Sequence, residues 1–142
     1  MLWDPEANGV VVLPSGRRVR GRALRDGVDD SPTPDLGLYL TGHRHEEPWE
    51  SLWVPWPDFR LPRMPTDAVA ALRAAYERSG SERVELACGG GRGRTGTALA
   101  ILARYDGVAA ERAVKWVRSA YRAGAVETPW QRRFVREVPL AP

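Results

Sequence analysis

Short apolar runs separated by polar turns occupy the first part of the chain, and runs with helical spacing dominate the rest. Residues 10–13 and 17–22 flank a Pro-Ser-Gly turn, which predicts a β-hairpin. Residues 36–41 and 51–54 are rich in Leu, Tyr, Trp and Val and predict two further strands. Residues 26–35, with two prolines, predict a loop between the hairpin and these strands.

Four helices are predicted downstream. Thr66 is a candidate N-cap for the first, which ends at about 79–80, and the second runs from Thr95 to about Tyr105. The third spans about 109–121, and Thr128 followed by proline begins the fourth. With the apolar strand 84–87, these elements predict an α/β fold, a central mixed β-sheet flanked by α-helices, in one domain spanning residues 1–142.

A glycine-rich loop joins the strand 84–87 to the second helix, with the sequence Cys-Gly-Gly-Gly-Arg-Gly-Arg-Thr-Gly from Cys88. Such a loop turns its N–H groups inward, and the helix start adds positive charge, so the loop predicts an anion site, with phosphate as the first candidate. A nucleotide-binding P-loop does not fit, because Cys88 replaces its first glycine and Arg94 its lysine. The predicted phosphate-binding residues are Gly89, Gly90, Gly91, Arg92, Gly93 and Arg94.

Cys88 is the candidate nucleophile, because an electropositive loop favours the reactive thiolate at neutral pH. It is the only cysteine in the sequence, so no internal disulfide can form. A free thiolate needs a reducing compartment. The N-terminus lacks signal-peptide features, and no apolar run approaches the ~18 residues of a membrane span. These features predict a cytoplasmic protein without a membrane span.

The basic composition adds little to this picture. The formal net charge is +3 and the pI about 9.5, but Lys115 is the only lysine among 21 basic residues, which reflects a biased composition. We therefore do not expect nucleic acid to be a partner. The two histidines, His43 and His45, have no second ligand cluster elsewhere, so we expect no metal site and no cofactor.

The loop resembles the phosphate-binding loop of cysteine-dependent protein tyrosine and dual-specificity phosphatases, whose pattern is C-x5-R-[ST]. Thirty positions upstream, Trp56-Pro57-Asp58 is similar to that family's mobile acid loop. Asp58 alone would be interpreted as a surface acid in a proline-rich turn. The segment 131–135 is a weaker match to the one that carries a water-positioning glutamine in the family.

The resemblance implies a metal-independent phosphomonoester hydrolase, a protein tyrosine or dual-specificity phosphatase. Cys88 would attack phosphorus to form a phosphocysteine intermediate, and Arg94 with the loop amides would bind the phosphoryl oxygens. Asp58 would protonate the leaving oxygen. Thr95 would donate its hydroxyl to the sulfur, and Gln131 would hold the attacking water.

Two residues depart from the family pattern. The family commonly has histidine before the nucleophile, where this chain has Ala87, so the loop dipoles and Arg94 must stabilise the thiolate. Arg92 occupies a position that is basic in the lipid-phosphatase branch, which leaves open a phosphatase for phosphoinositides or polyphosphorylated small molecules. Two lower alternatives are a rhodanese-type sulfurtransferase and a phosphate-binding module without turnover.

Overall fold

A computed structural model describes residues 1–28 and 31–142. Within them, the chain forms five strands and four helices. The strands are β1 (Val10–Val12), β2 (Arg18–Ala23), β3 (Leu36–Thr41), β4 (Ser51–Pro55) and β5 (Val84–Cys88). The helices are α1 (Pro65–Arg78), α2 (Gly93–Tyr105), α3 (Ala113–Ala120) and α4 (Pro129–Glu137). Part of the loop predicted over 26–35, residues 29–30, lies outside the described residues.

The strands form one mixed sheet in the order β1-β2-β5-β3-β4. β1 pairs antiparallel with β2, and the other neighbouring strands are parallel. β5 is therefore the central strand, paired on both sides, which agrees with its complete burial. The predicted α/β fold with a mixed sheet is confirmed, and the carboxyl end of the central strand carries Cys88.

The two faces of the sheet are covered differently. Val84, Leu86 and Cys88 of β5 join one apolar core with residues from all four helices. The side chains of Glu85 and Tyr39 lie on the opposite face, since neighbouring residues of a strand alternate between faces, and the two are hydrogen-bonded at 2.9 Å. The helix-covered face thus holds the nucleophile candidate against the core.

The helix starts differ in detail from the prediction. α1 begins at Pro65, the first-turn position that proline favours, and no side chain caps it, so Thr66 is not its N-cap. α2 begins at Gly93, before the predicted Thr95. A short 3-10 turn, Ala110–Arg112, precedes α3 where one continuous helix was predicted. Thr128 caps α4 as predicted. Within the described part of the chain, no helix is long and apolar enough to cross a membrane.

Candidate active site

Cys88 ends the central strand at the point where the chain turns into the glycine-rich loop. Its side chain is buried among core residues, with only 2% of the residue exposed. Thr95, in the first turn of α2, donates a hydrogen bond from Oγ1 to Cys88 Sγ at 3.0 Å. A hydroxyl donor at this distance stabilises negative charge on the sulfur.

The loop carbonyls face away from the pocket. Three of them accept hydrogen bonds from surrounding segments: Gly89 from the Arg25 N–H (3.2 Å), Gly90 from Arg122 Nη1 (3.3 Å) and Gly91 from the Tyr121 hydroxyl (2.6 Å). In a trans peptide the next N–H points opposite to the carbonyl. The amides that follow these carbonyls therefore point toward the side where an anion would bind.

Two glycines of the loop lie in close contact with neighbouring segments, and one of them is required by the backbone geometry. Gly91 has φ +64, and a Cβ there would lie 2.7 Å from the backbone nitrogen of Ala23. A Cβ at Gly93 would collide with the carboxylate of Glu127. The loop thus packs against the backbone of β2 at Gly91, which leaves no room for a side chain there, and against the movable Glu127 side chain at Gly93.

Arg94 lies in the second position of α2 and is 94% buried, since 6% of it is exposed. Its Nη1 donates to the Trp56 carbonyl oxygen at 3.1 Å, and its Nη2 lies 3.4 Å from Asp58 Oδ1. The Nε atom is buried and has no hydrogen-bond partner among the described residues. A buried guanidinium donor without a partner is costly unless a ligand satisfies it. This donor is available to an oxyanion in the pocket.

Asp58 lies on the segment Trp56–Arg60, which we call the acid loop. Its side chain is 61% exposed, and it reaches the same pocket as Cys88. The Trp56 side chain is buried and anchors the loop, because its indole Nε1 donates to the Arg60 carbonyl at 2.8 Å. The structure thus brings Asp58 and Cys88 together, although thirty residues separate them in the sequence.

One pocket of about 130 Å³ unites these groups. It is lined by Arg25, Asp58, Phe59, Cys88, Gly90, Arg92, Gly93, Arg94 and Glu127. A water occupies about 30 Å³ of liquid, so the space holds a group of a few heavy atoms and leaves most of a larger substrate outside. The dimensions and donors fit a single phosphoryl group.

Three residues of this site have no signal in the sequence. Arg25 and Glu127 line the pocket, and Tyr121 holds the Gly91 carbonyl from behind. Burial raises the pKa of Tyr121 to about 12, so its hydroxyl stays protonated and can donate at neutral pH. Arg118 donates to the carbonyls of Ala125 and Val126, at 2.8 and 2.7 Å, and thereby fixes the segment that presents Glu127.

Gln131 is fully buried and its carboxamide is already engaged. Its Oε1 accepts from the N–H groups of Glu127 and Thr128, at 3.1 and 3.2 Å, and its Nε2 donates to the Arg60 carbonyl at 3.2 Å. These bonds complete a capping box with Thr128 at the start of α4. Gln131 does not line the pocket in this conformation. Its water-positioning role stays a prediction.

Across the described residues, no group of three or more His, Cys, Asp or Glu is placed to hold a metal ion. His45 instead lies 3.0 Å from Glu47, which also pairs with Arg22. The groups that line the pocket include a thiol, two carboxylates, guanidinium groups and glycine backbone.

Comparison with known proteins agrees with this geometry. The sequence model of the family described as "PTP-SAK: Swiss Army Knife protein, DSP-PTPase phosphatase domain" matches residues 44–137. The chain belongs to this family. The PTP-SAK match contains the acid loop, the glycine-rich loop and α4, so the resemblance to cysteine-dependent phosphatases is confirmed.

Solved structures extend this comparison. The crystal structure of Tk-PTP in the active form superposes with a TM-score of 0.66 at 27% identity, over 86% of this chain and 92% of that one. The crystal structure of a mutant form of Tk-PTP gives a TM-score of 0.67 at 28% identity, over 85% of this chain and 87% of that one. These likenesses support a PTP-SAK domain with a phosphatase fold of the PTP type.

Two uncharacterized proteins of Methanocaldococcus jannaschii are also similar. MJECL20 is 39% identical over 87 residues, which are 61% of this chain and 58% of that protein. MJ0215 is 36% identical over 87 residues, 61% of this chain and 54% of that protein. The chain thus spans little more than half the length of these two relatives.

Proposed function

We propose that this protein is a metal-independent phosphomonoester hydrolase that works through a phosphocysteine intermediate. Its substrates would be phosphotyrosine proteins, or, for a dual-specificity phosphatase, phosphoserine and phosphothreonine proteins as well. One observation carries the proposal: Cys88 and the buried Arg94, whose Nε lacks a partner among the described residues, line one pocket of phosphoryl size. A thiolate nucleophile next to a planar donor fork is suited to phosphoryl transfer.

In the first step the Cys88 thiolate attacks phosphorus in line with the leaving oxygen. The S–P bond forms as the ester P–O bond breaks, and Asp58 transfers its proton to the departing oxygen. Arg94 and the loop amides hold the three other phosphoryl oxygens and stabilise the charge that develops on them.

In the second step water attacks the phosphocysteine. Asp58, now ionised, takes a proton from the water, the P–S bond breaks, and inorganic phosphate leaves with the thiolate restored. The Thr95 hydroxyl, 3.0 Å from the sulfur, stabilises that thiolate as it departs. Gln131 would hold the water only after its capping-box bonds rearrange.

The test is hydrolysis of p-nitrophenyl phosphate in the presence of EDTA, for the parent and for Cys88→Ser, Arg94→Ala and Asp58→Ala. We expect the parent to be active and Cys88→Ser and Arg94→Ala to lose about 10³-fold or more in kcat. Asp58→Ala should lose less on this substrate, because p-nitrophenolate needs a proton from a general acid far less than an alkoxide or phenolate does. Vanadate should inhibit, because its five-coordinate adduct resembles the transition state. Full activity of Cys88→Ser would refute the mechanism.

The same assay separates the lower alternatives. A parent without phosphatase activity but with thiosulfate turnover would favour a rhodanese-type sulfurtransferase. A parent that binds phosphate without any turnover would favour a binding module. Asp58 argues against both, because neither sulfur transfer nor binding requires a proton donor for a leaving alkoxide.

Arg25 and Arg92 favour a second candidate function, a phosphatase for phosphoinositides or polyphosphorylated small molecules. Both are exposed and line the pocket. Neither guanidinium is paired with a carboxylate anywhere in residues 1–28 and 31–142. Unpaired cations beside a phosphate site are suited to a second phosphate.

For this candidate, Arg92→Ala should reduce kcat/KM for a soluble inositol bisphosphate more than for p-nitrophenyl phosphate. We expect at least about a fivefold difference between the two losses, about 1 kcal/mol for an exposed charged contact. Arg136→Ala, which removes an exposed arginine at the end of α4, is the control. Equal losses on both substrates would remove this candidate.

The reactivity of Cys88 bears on where in the cell the protein would work. Cys88 has no cysteine partner in the chain, and the proposed reaction requires its thiolate to remain reduced. We therefore place the enzyme in the cytoplasm, where thiols are kept reduced. Its partners would be phosphorylated proteins or small molecules.

A further inference from the structure

The acid loop is bound to the start of α4 through two consecutive carbonyl groups. The indole Nε1 of Trp130 donates to the Phe59 carbonyl, and Gln131 Nε2 donates to the Arg60 carbonyl at 3.2 Å. The Arg60 carbonyl also accepts from Trp56 within the loop. The loop that carries Asp58 is therefore attached to a helix that contributes no atom of its own to the pocket lining.

The Phe59 backbone lies in a turn that the Arg60 N–H closes on the Pro57 carbonyl at 3.1 Å. Its φ is +59, in the left-handed region. That region costs a non-glycine residue about 1–2 kcal/mol and persists where surrounding contacts impose it. The Phe59 side chain is 52% exposed, so packing restrains it little. The hydrogen bond from Trp130 acts directly on the carbonyl of the strained residue.

Asp58 immediately precedes Phe59, and its position follows the backbone. Its carboxylate accepts from the Phe59 N–H at 3.0 Å and lies 3.4 Å from Arg94 Nη2. The first contact moves with the loop, and the second is a long one. A shift of the acid loop at Phe59 would therefore carry the carboxylate away from the pocket.

We propose that Trp130 is a positioning residue that holds Asp58 over the pocket by fixing the Phe59 carbonyl. This inference rests on the proposed function, in which Asp58 protonates the leaving oxygen. Trp130 acts through the acid loop and contacts no reacting atom. Its loss should mimic, in part, the loss of the acid.

Trp130→Phe is the appropriate variant. Trp130 is 49% exposed, so the substitution disturbs little packing. Phenylalanine keeps an aromatic ring but lacks the indole N–H that binds the Phe59 carbonyl. Gln131 is less suitable, because its carboxamide also caps α4. Trp49→Phe is the matched control, since it removes one indole hydrogen bond, 2.6 Å to the Tyr39 hydroxyl, on the opposite face of the sheet.

The experiment measures kcat/KM for phenyl phosphate and p-nitrophenyl phosphate. Phenolate needs a proton to leave far more than p-nitrophenolate does, so the ratio of the two values reports on the acid. Trp130→Phe should lower kcat/KM for phenyl phosphate about tenfold or more, a part of the roughly 10²–10⁴-fold that a general acid contributes. The ratio of kcat/KM for the two substrates should change in the same direction as in Asp58→Asn. Trp49→Phe should keep the parental ratio.

A double variant tests whether the two residues act as one unit. In the Asp58→Asn background, Trp130→Phe should change the ratio no further, because effects of coupled residues do not add. Trypsin provides a readout independent of activity: cleavage after Arg60 should accelerate several-fold in Trp130→Phe and not in Trp49→Phe.

Each other outcome counts against a specific proposal. An active parent with an unchanged substrate ratio in Trp130→Phe, or with fully multiplicative effects of the two substitutions, would overturn the role of Trp130 and leave the proposed function standing. An inactive parent would overturn both.

Discussion

Thr95 Oγ1 lies 3.0 Å from Cys88 Sγ and donates its hydrogen to the sulfur. The two residues stand at opposite ends of the glycine-rich loop, one ending β5 and the other in the first turn of α2. The hydrogen bond therefore closes the loop around the space where an anion would bind.

Thr95→Val should slow the second chemical step more than the first. The valine keeps the branched shape and removes the donor to the departing thiolate, and a hydrogen bond to a charged group contributes about 1.5–3 kcal/mol, or about tenfold or more in kcat. Rapid mixing with p-nitrophenyl phosphate should show a burst of p-nitrophenolate followed by slow turnover. Thr97→Val, a buried threonine of α2 that bonds the Gly93 carbonyl at 2.6 Å, is the control. A variant with parental kcat and no burst would contradict this role.

Gly91→Ala should abolish most activity through the loop backbone. Alanine would have to adopt φ +64 and place its Cβ 2.7 Å from the Ala23 nitrogen, so the loop must shift. Gly27→Ala is the matched control, because Gly27 has φ +74 but nothing lies within 4 Å of its Cβ position. Both substitutions destabilise the fold by about 1–3 kcal/mol, because each places alanine at a positive φ, with ψ −166 as well at Gly27. Only Gly91→Ala should also reduce kcat/KM by more than about tenfold, a loss of about 1.4 kcal/mol or more; equal activities of the two variants would contradict the assignment.

Glu127→Gln should tighten oxyanion binding. Glu127 places a second carboxylate in the pocket beside Asp58, and its negative charge opposes that of a bound phosphate. Removing a repelling unit charge from a partly solvated site is worth about 1 kcal/mol, so the Ki for inorganic phosphate at low salt should fall about fivefold. Glu111→Gln, an exposed glutamate of the turn before α3, should leave Ki unchanged. A higher Ki in Glu127→Gln would show that this carboxylate assists binding.

Asp106 should make stability depend on pH in the acid range. Its carboxylate ends α2 and accepts from the Ser15 N–H and the Tyr76 hydroxyl, both at 2.7 Å. Burial opposes its ionisation, but these hydrogen bonds and Arg17 outweigh burial and hold the pKa of Asp106 below its usual value. Because the folded state favours the ionised form, this contribution is present above the ordinary aspartate pKa of about 3.9 and is lost as pH falls through the lower folded value.

Asp106→Asn should therefore lower the free energy of unfolding by about 1–2 kcal/mol at neutral pH. Urea titrations from pH 7 downward should show the difference from the parent shrinking below about pH 4. Asp26→Asn, an exposed aspartate after β2, should change stability by less than about 0.5 kcal/mol. If the difference in unfolding free energy between Asp106→Asn and the parent did not change with pH, the charge of Asp106 would not be the cause of the stabilisation.

The sequence predicts the glycine-rich loop because its chemistry is local. Cys88 and Arg94 lie six positions apart, and the glycines between them indicate tight backbone turns directly. The start of α4 was predicted for the same reason, since Thr128 and the following proline are adjacent signals. The Thr66 cap was wrong because Pro65 already occupies the first turn of α1.

Residues that reach the site through tertiary contacts left no such pattern. Arg25, Tyr121 and Glu127 come from three different segments, which the folded chain brings to the glycine-rich loop. Asp58 was found through family resemblance, since a carboxylate in a proline-rich turn has no distinctive spacing of its own. Phe59 and Val126, each next to a pocket carboxylate, have left-handed backbone conformations. The hydrophobic periodicity of the sequence does not predict these conformations either.

The most direct test of the account is the chemical identity of the intermediate. The protein is mixed with p-nitrophenyl phosphate in EDTA, quenched in acid within the first turnover, digested, and its peptides are weighed by mass spectrometry. The proposed mechanism predicts one added phosphoryl group on the peptide that contains Cys88, absent in Cys88→Ala. Turnover that continues while this peptide stays unmodified, with equal activity in Cys88→Ala, would contradict it.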